Sequence, residues 1–165
     1  MSKTIFILSI TVLVLMLAAL SPLPAAGSEL RYNQAIGKIK LTVPEDPRIR
    51  DYLGLKPRTG QFTITQIRQG FLIIQIFNMY CPHCQREAPL LNELDGLLKS
   101  RGLDKDVKLI GVGIGNSDFE VQVFQKKYAI TFPLFSDPEF KTNKEIGEVG
   151  TPFFYVLNMN PAKKE

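Results

Sequence analysis

The sequence predicts an α/β domain, and three features carry the prediction. Two nearly unbroken apolar runs, Phe71 to Phe77 and Val107 to Ile114, flank a stretch of helical periodicity. Such runs lack the two-residue alternation of half-exposed strands and fit strands covered on both faces. Strands alternating with helices imply a mostly parallel sheet.

The chain has 165 residues, 45% hydrophobic and 22% charged, which suits one globular domain able to bury a core without disulfide staples or structural metals. The net charge of +4 is spread along the chain, with no block of five or six like charges. It reads as a solvated basic surface, and no nucleic-acid partner is expected.

Residues 1–27 read as an export signal or a membrane anchor. Lys3 is the one charged side chain before Glu29, and Ile5 to Leu20 is apolar except for Ser9 and Thr11. Ser21-Pro22-Leu23-Pro24 breaks the run, and Ala25-Ala26-Gly27-Ser28 offers small residues to a signal peptidase. The run is short for a membrane span, which needs about 20 residues. A cleaved signal and an uncleaved anchor both stay open. No cysteine lies near the junction, so a lipid-modified lipoprotein is excluded. Either route leads to an oxidising compartment, expected to be the bacterial periplasm, where cysteine pairs form disulfides.

Residues 28–59 read as an N-terminal lead-in, interrupted by Pro44, Pro47 and Pro57, with a short helical turn around Arg48 to Leu53. The domain proper is expected over residues 60–165. Phe62-Thr63-Ile64 alternates weakly and reads as a strand, with Thr65-Gln66-Ile67 turning toward the core. After Phe77, Ala88, Leu91, Leu94, Leu97 and Leu98 recur at helical spacing, and Gly102 stands where such a helix stops. Phe119 to Tyr128 reads as a second amphipathic helix with Phe119, Val123 and Phe124 on one side. Phe132 to Phe135 and Phe153 to Leu157 are the remaining expected strands.

The two cysteines and the single histidine of the chain fall together as Cys81-Pro82-His83-Cys84, where the first apolar strand ends and a helix begins. A structural zinc or an iron–sulfur cluster needs about four ligands, and no second Cys/His pair exists. No metal site and no cofactor are therefore expected. Covalent haem attachment requires histidine directly after the second cysteine, where Gln85 stands. A purely stabilising disulfide closing so short a loop is worth about 2 kcal/mol, against about 3 for a 15-residue loop.

Position favours chemistry instead. Cys81 at a helix N-terminus meets unpaired backbone N–H groups and the positive end of the helix dipole, which favour the thiolate. That thiolate would attack a substrate disulfide, and Cys84, one turn on and more sheltered, would resolve the mixed disulfide. His83 lies between them, where it can donate a hydrogen bond or positive charge to the Cys81 thiolate.

Phe77-Asn78-Met79-Tyr80-Cys81-Pro82-His83-Cys84, followed by Pro89, resembles the active-site strand, loop and helix of the thioredoxin superfamily. The Pro82-His83 pair is like that of DsbA-type oxidoreductases. The wider layout, with its lead-in, Gly111 to Gly115 and Phe132 to Asp137, is similar to the TlpA/ResA group and its peroxiredoxin-like relatives, over about Gly60 to Leu157. This resemblance implies a thioredoxin-like fold: a central mixed sheet with helices on both faces. Its usual C-terminal strand and helix are expected to be missing, because the chain stops at Glu165.

The resemblance further implies that Thr151-Pro152 is the cis-proline facing the CxxC loop, and that Tyr80, Pro82, Thr151 and Pro152 contact the substrate. Glu87 matches the acid of the TlpA/ResA group; the alternative is a solvated charge in the first helical turns. Tyr80 replaces the usual tryptophan, and Gln75 stands where classical thioredoxins carry a buried acid. The implied activity is thiol–disulfide exchange with protein thiols and disulfides, together with a redox partner protein. A rival is copper delivery by the same two thiolates. A peroxidase is disfavoured, since Cys81 lacks the Pro-x-x-x-Thr-x-x-Cys context of peroxiredoxins.

Overall fold

The structure, a computed structural model, describes residues 36–56, 59–67 and 70–160. The expected export signal over residues 1–27 lies outside the described residues. Among those described, no helix is long and apolar enough to cross a membrane.

The lead-in contributes β1 (Lys40–Thr42) and α1 (Pro47–Leu53), followed by β2 (Gln61–Thr63) and a 3-10 turn at Ile64–Gln66. β1 and β2 pair antiparallel, with Leu41 opposite Phe62. Helix α1 starts where Asp46 accepts the Arg48 N–H at 2.8 Å and Pro47 fills the first helical position. It stops at Gly54, which is left-handed at φ 65°.

The main sheet comprises β3 (Phe71–Phe77), β4 (Val107–Ile114), β5 (Leu134–Asp137) and β6 (Phe153–Asn158), in the order β5-β4-β3-β6. β3 runs parallel to β4, and β4 parallel to β5. β6 runs antiparallel to β3, so the mostly parallel sheet is mixed at that edge. Helix α2 (Pro82–Ser100) links β3 to β4 through a 3-10 turn at Leu103–Lys105; α3 (Asp118–Lys127) links β4 to β5, and α4 (Lys141–Ile146) links β5 to β6.

The sheet separates two apolar clusters. Leu72, Ile74 and Ile76 of β3, with Ile110, Val112 and Ile114 of β4, pack against Ile39, Leu41, Leu53, Phe62 and Ile146. The alternate residues Ile73, Phe77 and Leu109 pack instead against Cys84, Ala88 and Leu91 of α2 and Val121 and Phe124 of α3. Helices therefore lie on both faces, and α2 and α3 share the face that carries the cysteines.

Several expectations shift in register. The buried stripe of α2 is Cys84, Ala88, Leu91, Asp95 and Leu98. Leu97 is exposed, because six residues beyond Leu91 is about 240° round the helix. Asp95 is buried where an apolar residue would be expected; Lys99 and the Thr131 hydroxyl both donate to its carboxylate. In α3 the buried residues are Val121 and Phe124, while Phe119 and Val123 face outward. The expected strand at Phe132 to Phe135 begins two residues later, since Pro133 has no N–H for a ladder. Phe154 and Val156 on β6 remain exposed.

Candidate active site

The loop between β3 and α2 is shaped by side chains that substitute for backbone partners. Asn78 accepts the Tyr80 N–H at 2.9 Å and donates through Nδ2 to the Ile114 carbonyl at 2.8 Å. Gln85 reaches back from α2 to the Met79 carbonyl at 2.8 Å, and Cys81 N–H closes the turn onto the Asn78 carbonyl at 3.0 Å. The connector after β4 supplies the other half. Gly115 turns the chain at φ 65° and donates its N–H to Asp137. Asn116, fully buried, then accepts the Met79 N–H at 2.8 Å.

Cys81 is the N-cap of α2, with Pro82 at the first helical position. It is half-buried, whereas Cys84 is wholly enclosed; both are free thiols. The peptide bond Thr151-Pro152 is cis, and the Thr151 carbonyl oxygen accepts from Cys81 Sγ at 3.4 Å. The loop and the proline turn, distant in sequence, are thus brought together.

The two sulfurs differ electrostatically. Burial pushes the Cys81 thiol up, but the backbone N–H of Cys84, contacts with Thr151 and with the Cys84 thiol, and the backbone N–H of His83 hold it below its ordinary value. Burial pushes Cys84 up to about 11; the neighbouring Cys81 adds to the rise, against the backbone of Asn78. One sulfur is disposed to ionise and meets solvent; the other holds its proton.

His83 is exposed, and its Nδ1 lies 2.7 Å from an Arg86 guanidinium nitrogen. Because guanidinium only donates, Nδ1 is the acceptor in this contact. The part of His83 that favours the Cys81 thiolate is its backbone N–H. Glu87 is half-buried one turn beyond Cys84, and its Oε2 is enclosed without a hydrogen-bond partner. Gln75, buried in β3, likewise leaves Nε2 without one.

Tyr80 is 65% exposed, and its hydroxyl donates to Glu120 Oε1 at 2.6 Å. That hydrogen bond raises the Tyr80 pKa and, with the Ser117 donors, lowers that of Glu120. Pro82 lies exposed beside Cys81. Asn78, Gln85, Asn116 and Glu120 were not anticipated from sequence; Ser117-x-x-Glu120 is a capping-box signature that could have marked the last. Among the described residues, no group of three or more His, Cys, Asp or Glu side chains is placed to hold a metal ion.

The family model described as AhpC/TSA matches residues 49–162. The thiol-disulfide oxidoreductase ResA of Geobacillus thermodenitrificans is 24% identical over 102 residues, covering 62% of this chain and 56% of that protein. ResA of Halalkalibacterium halodurans is 32% identical over 87 residues, 53% of this chain and 47% of its own length. The chain thus spans about half the length of the curated relatives it matches. Among solved structures, a secreted Mycobacterium tuberculosis disulfide oxidoreductase homologous to Escherichia coli DsbE superposes with a TM-score of 0.57 at 16% identity, covering 78% of this chain and 81% of that one. StoA of Bacillus subtilis gives 0.50 at 25% identity, covering 61% and 74%. The fold is thioredoxin-like.

Proposed function

Because the chain belongs to the AhpC/TSA family, we propose that it is an exported thiol–disulfide oxidoreductase acting on protein substrates through Cys81 and Cys84. The observation that carries this reading is the asymmetry of the two thiols. Cys81 is reachable and disposed to ionise; Cys84 is enclosed and pushed up to about 11. The ResA relatives are thiol-disulfide oxidoreductases. Export is supported by the composition of residues 1–27 alone.

In the reductive direction, the Cys81 thiolate bonds to one sulfur of a substrate disulfide, and the other sulfur leaves as a thiolate and takes a proton. Cys84 then gives up its proton and attacks Cys81 Sγ. This forms the Cys81–Cys84 disulfide and frees the second substrate thiol. The substrate has gained two electrons from the enzyme pair and two protons, one given up by Cys84 and one taken from solvent. A redox partner reverses that change. Tyr80, Pro82, Thr151 and Pro152 are assigned to the substrate chain, which the Thr151 carbonyl beside Cys81 Sγ supports, while Glu87 is assigned to the Cys84 proton. His83 contributes its backbone N–H to the Cys81 thiolate.

Insulin reduction driven by dithiothreitol tests this assignment. Wild-type protein should accelerate it, and Cys81→Ser should abolish the acceleration. A copper titration run alongside would favour the delivery reading if tight binding appeared without turnover.

A further inference from the structure

β5 is an outer strand of the main sheet, and its free edge opens into a groove. In a parallel ladder, alternate residues of a strand turn their backbone groups toward one neighbour. Gly111 and Gly115 donate to the carbonyls of Pro133 and Asp137, so the odd-numbered residues of β5 serve β4. The N–H and C=O of Leu134 and Ser136 therefore point away from β4, and nothing among the described residues bonds to them. Both residues line a cavity of about 380 Å³. Its walls are the lead-in at Val43, Glu45 and Ile49 and helix α3 at Asp118, Val121 and Gln122.

The groove has fixed walls and a sign. Arg50 donates to the Pro44 and Glu45 carbonyls at 2.7 and 2.5 Å, which holds the lead-in wall. On the other wall the Ser136 hydroxyl donates to Asp118, tying α3 to β5. The charged residues of the lining are Glu45 and Asp118, and neither has an ion-pair partner among the described residues. The whole chain carries +4, so this acidic strip is a local feature. β5 itself bears no lysine and no proline, the usual protections of an exposed edge. A second hollow of about 410 Å³ shares Ile49, Gln125 and Pro133 and extends the groove toward Thr131. The Asp118 end lies at the same end of the sheet as Cys81, because β3 and β4 are parallel and the two residues follow their C-termini.

We propose that this groove docks an extended segment of a partner protein that carries a lysine or arginine. The segment adds to β5 as a further strand, pairing its backbone with Leu134 and Ser136. Its basic side chain lies against Glu45 and Asp118, and its apolar residues face the walls at Val43, Ile49 and Val121. The docking stands apart from the exchange reading of Cys81 and Cys84, which it neither needs nor alters.

The test uses cysteine-free, fluorescein-labelled peptides of the sequence Thr-Val-Thr-Lys-Thr-Val-Thr, with Glu in place of Lys as the charge control. A third peptide has proline at both positions flanking the Lys, so it cannot pair as a strand. In fluorescence anisotropy the Lys peptide should bind about three- to tenfold more tightly than the Glu peptide, with the difference shrinking as salt rises. The proline peptide should lose most of the binding. Amide spectra of nitrogen-15-labelled protein should show the Leu134 and Ser136 signals shifting with the Lys peptide. Glu45→Lys and Gln122→Lys, both on exposed wall positions, should each abolish the preference for Lys over Glu. Both should leave the reduction of hydroxyethyl disulfide unchanged.

Equal binding of the Lys and Glu peptides would overturn the inference, as would a preference that survives in both variants. Undiminished binding of the proline peptide would overturn strand addition. Amide shifts confined to β6 or to the loop around Cys81 would place the peptide elsewhere and overturn it too. A dimer seen by sedimentation without peptide, and abolished by Gln122→Lys, would give the groove to a second copy of the chain instead.

Discussion

Met79 gives its backbone N–H to Oδ1 of Asn116 at 2.8 Å, tying the residue two before the first cysteine to the turn after β4. Asn116 is fully buried and Met79 half-buried. Asn116→Ala should cost about 0.5–1.5 kcal/mol, the range for one lost intramolecular hydrogen bond. Urea denaturation measures that loss. The alkylation rate of Cys81 should change in the same variant, since the loop that presents the sulfur is released. An unaltered rate would mean that Asn78 and Gln85 hold the loop without help.

The two thiols should be chemically distinguishable. In the reduced protein at neutral pH, iodoacetamide should modify Cys81 first and leave Cys84 largely untouched, as read by peptide mass spectrometry. Cys84→Ser should accumulate mixed disulfides through Cys81, whereas Cys81→Ser should form none. Faster labelling of Cys84 would reverse the roles assigned here.

Glu87 offers a carboxylate oxygen that is enclosed and unpartnered one turn from Cys84. Glu87→Gln should slow resolution of the mixed disulfide more than its formation, measured by stopped-flow with a trapped intermediate. The deficit should shrink as pH approaches about 11, where Cys84 ionises without an acceptor's help. Wild-type rates between about pH 6 and 9 would remove Glu87 from the mechanism.

Alkaline stability follows from the sign of the Cys84 shift. Its folded value, about 11, exceeds the ordinary 9.0, so the folded state holds the proton more tightly. That contribution is complete below about pH 9 and is lost as pH rises toward 11, by roughly 2–3 kcal/mol. Cys81, whose folded value is lowered, acts oppositely and offsets part of the fall. Tyr52, pushed up to about 12 by burial, adds a second loss between pH 10 and 12. Cys84→Ala should flatten the lower window and spare the upper one in pH-dependent denaturation of reduced protein.

The parts legible in sequence are those whose signal is local. β3 and β4 occupy the two apolar runs from which they were read, because central strands have no exposed face to interrupt them. The cis bond at Pro152 was reached through the motif. Lys40–Thr42 escaped notice because three residues in an exposed-buried-exposed pattern are too short to show a period. Asp95 reads as a surface charge until Thr131, 36 residues on, appears beside it. Asn78, Asn116 and Glu120 share that reason: their partners lie 36 to 40 residues distant, beyond any local window.

The sheet works as a partition. Leu72, Ile74 and Ile76 face the lead-in, and Phe77 faces the cysteines, so β3 divides one apolar cluster from the other. Substitutions at distant, unshared positions add nearly independently. Selection for heat tolerance thus has a reservoir at Ile39, Leu41, Leu53 and Phe62 that leaves the redox chemistry undisturbed. A lineage moving between habitats can retune durability and chemistry by separate mutational routes.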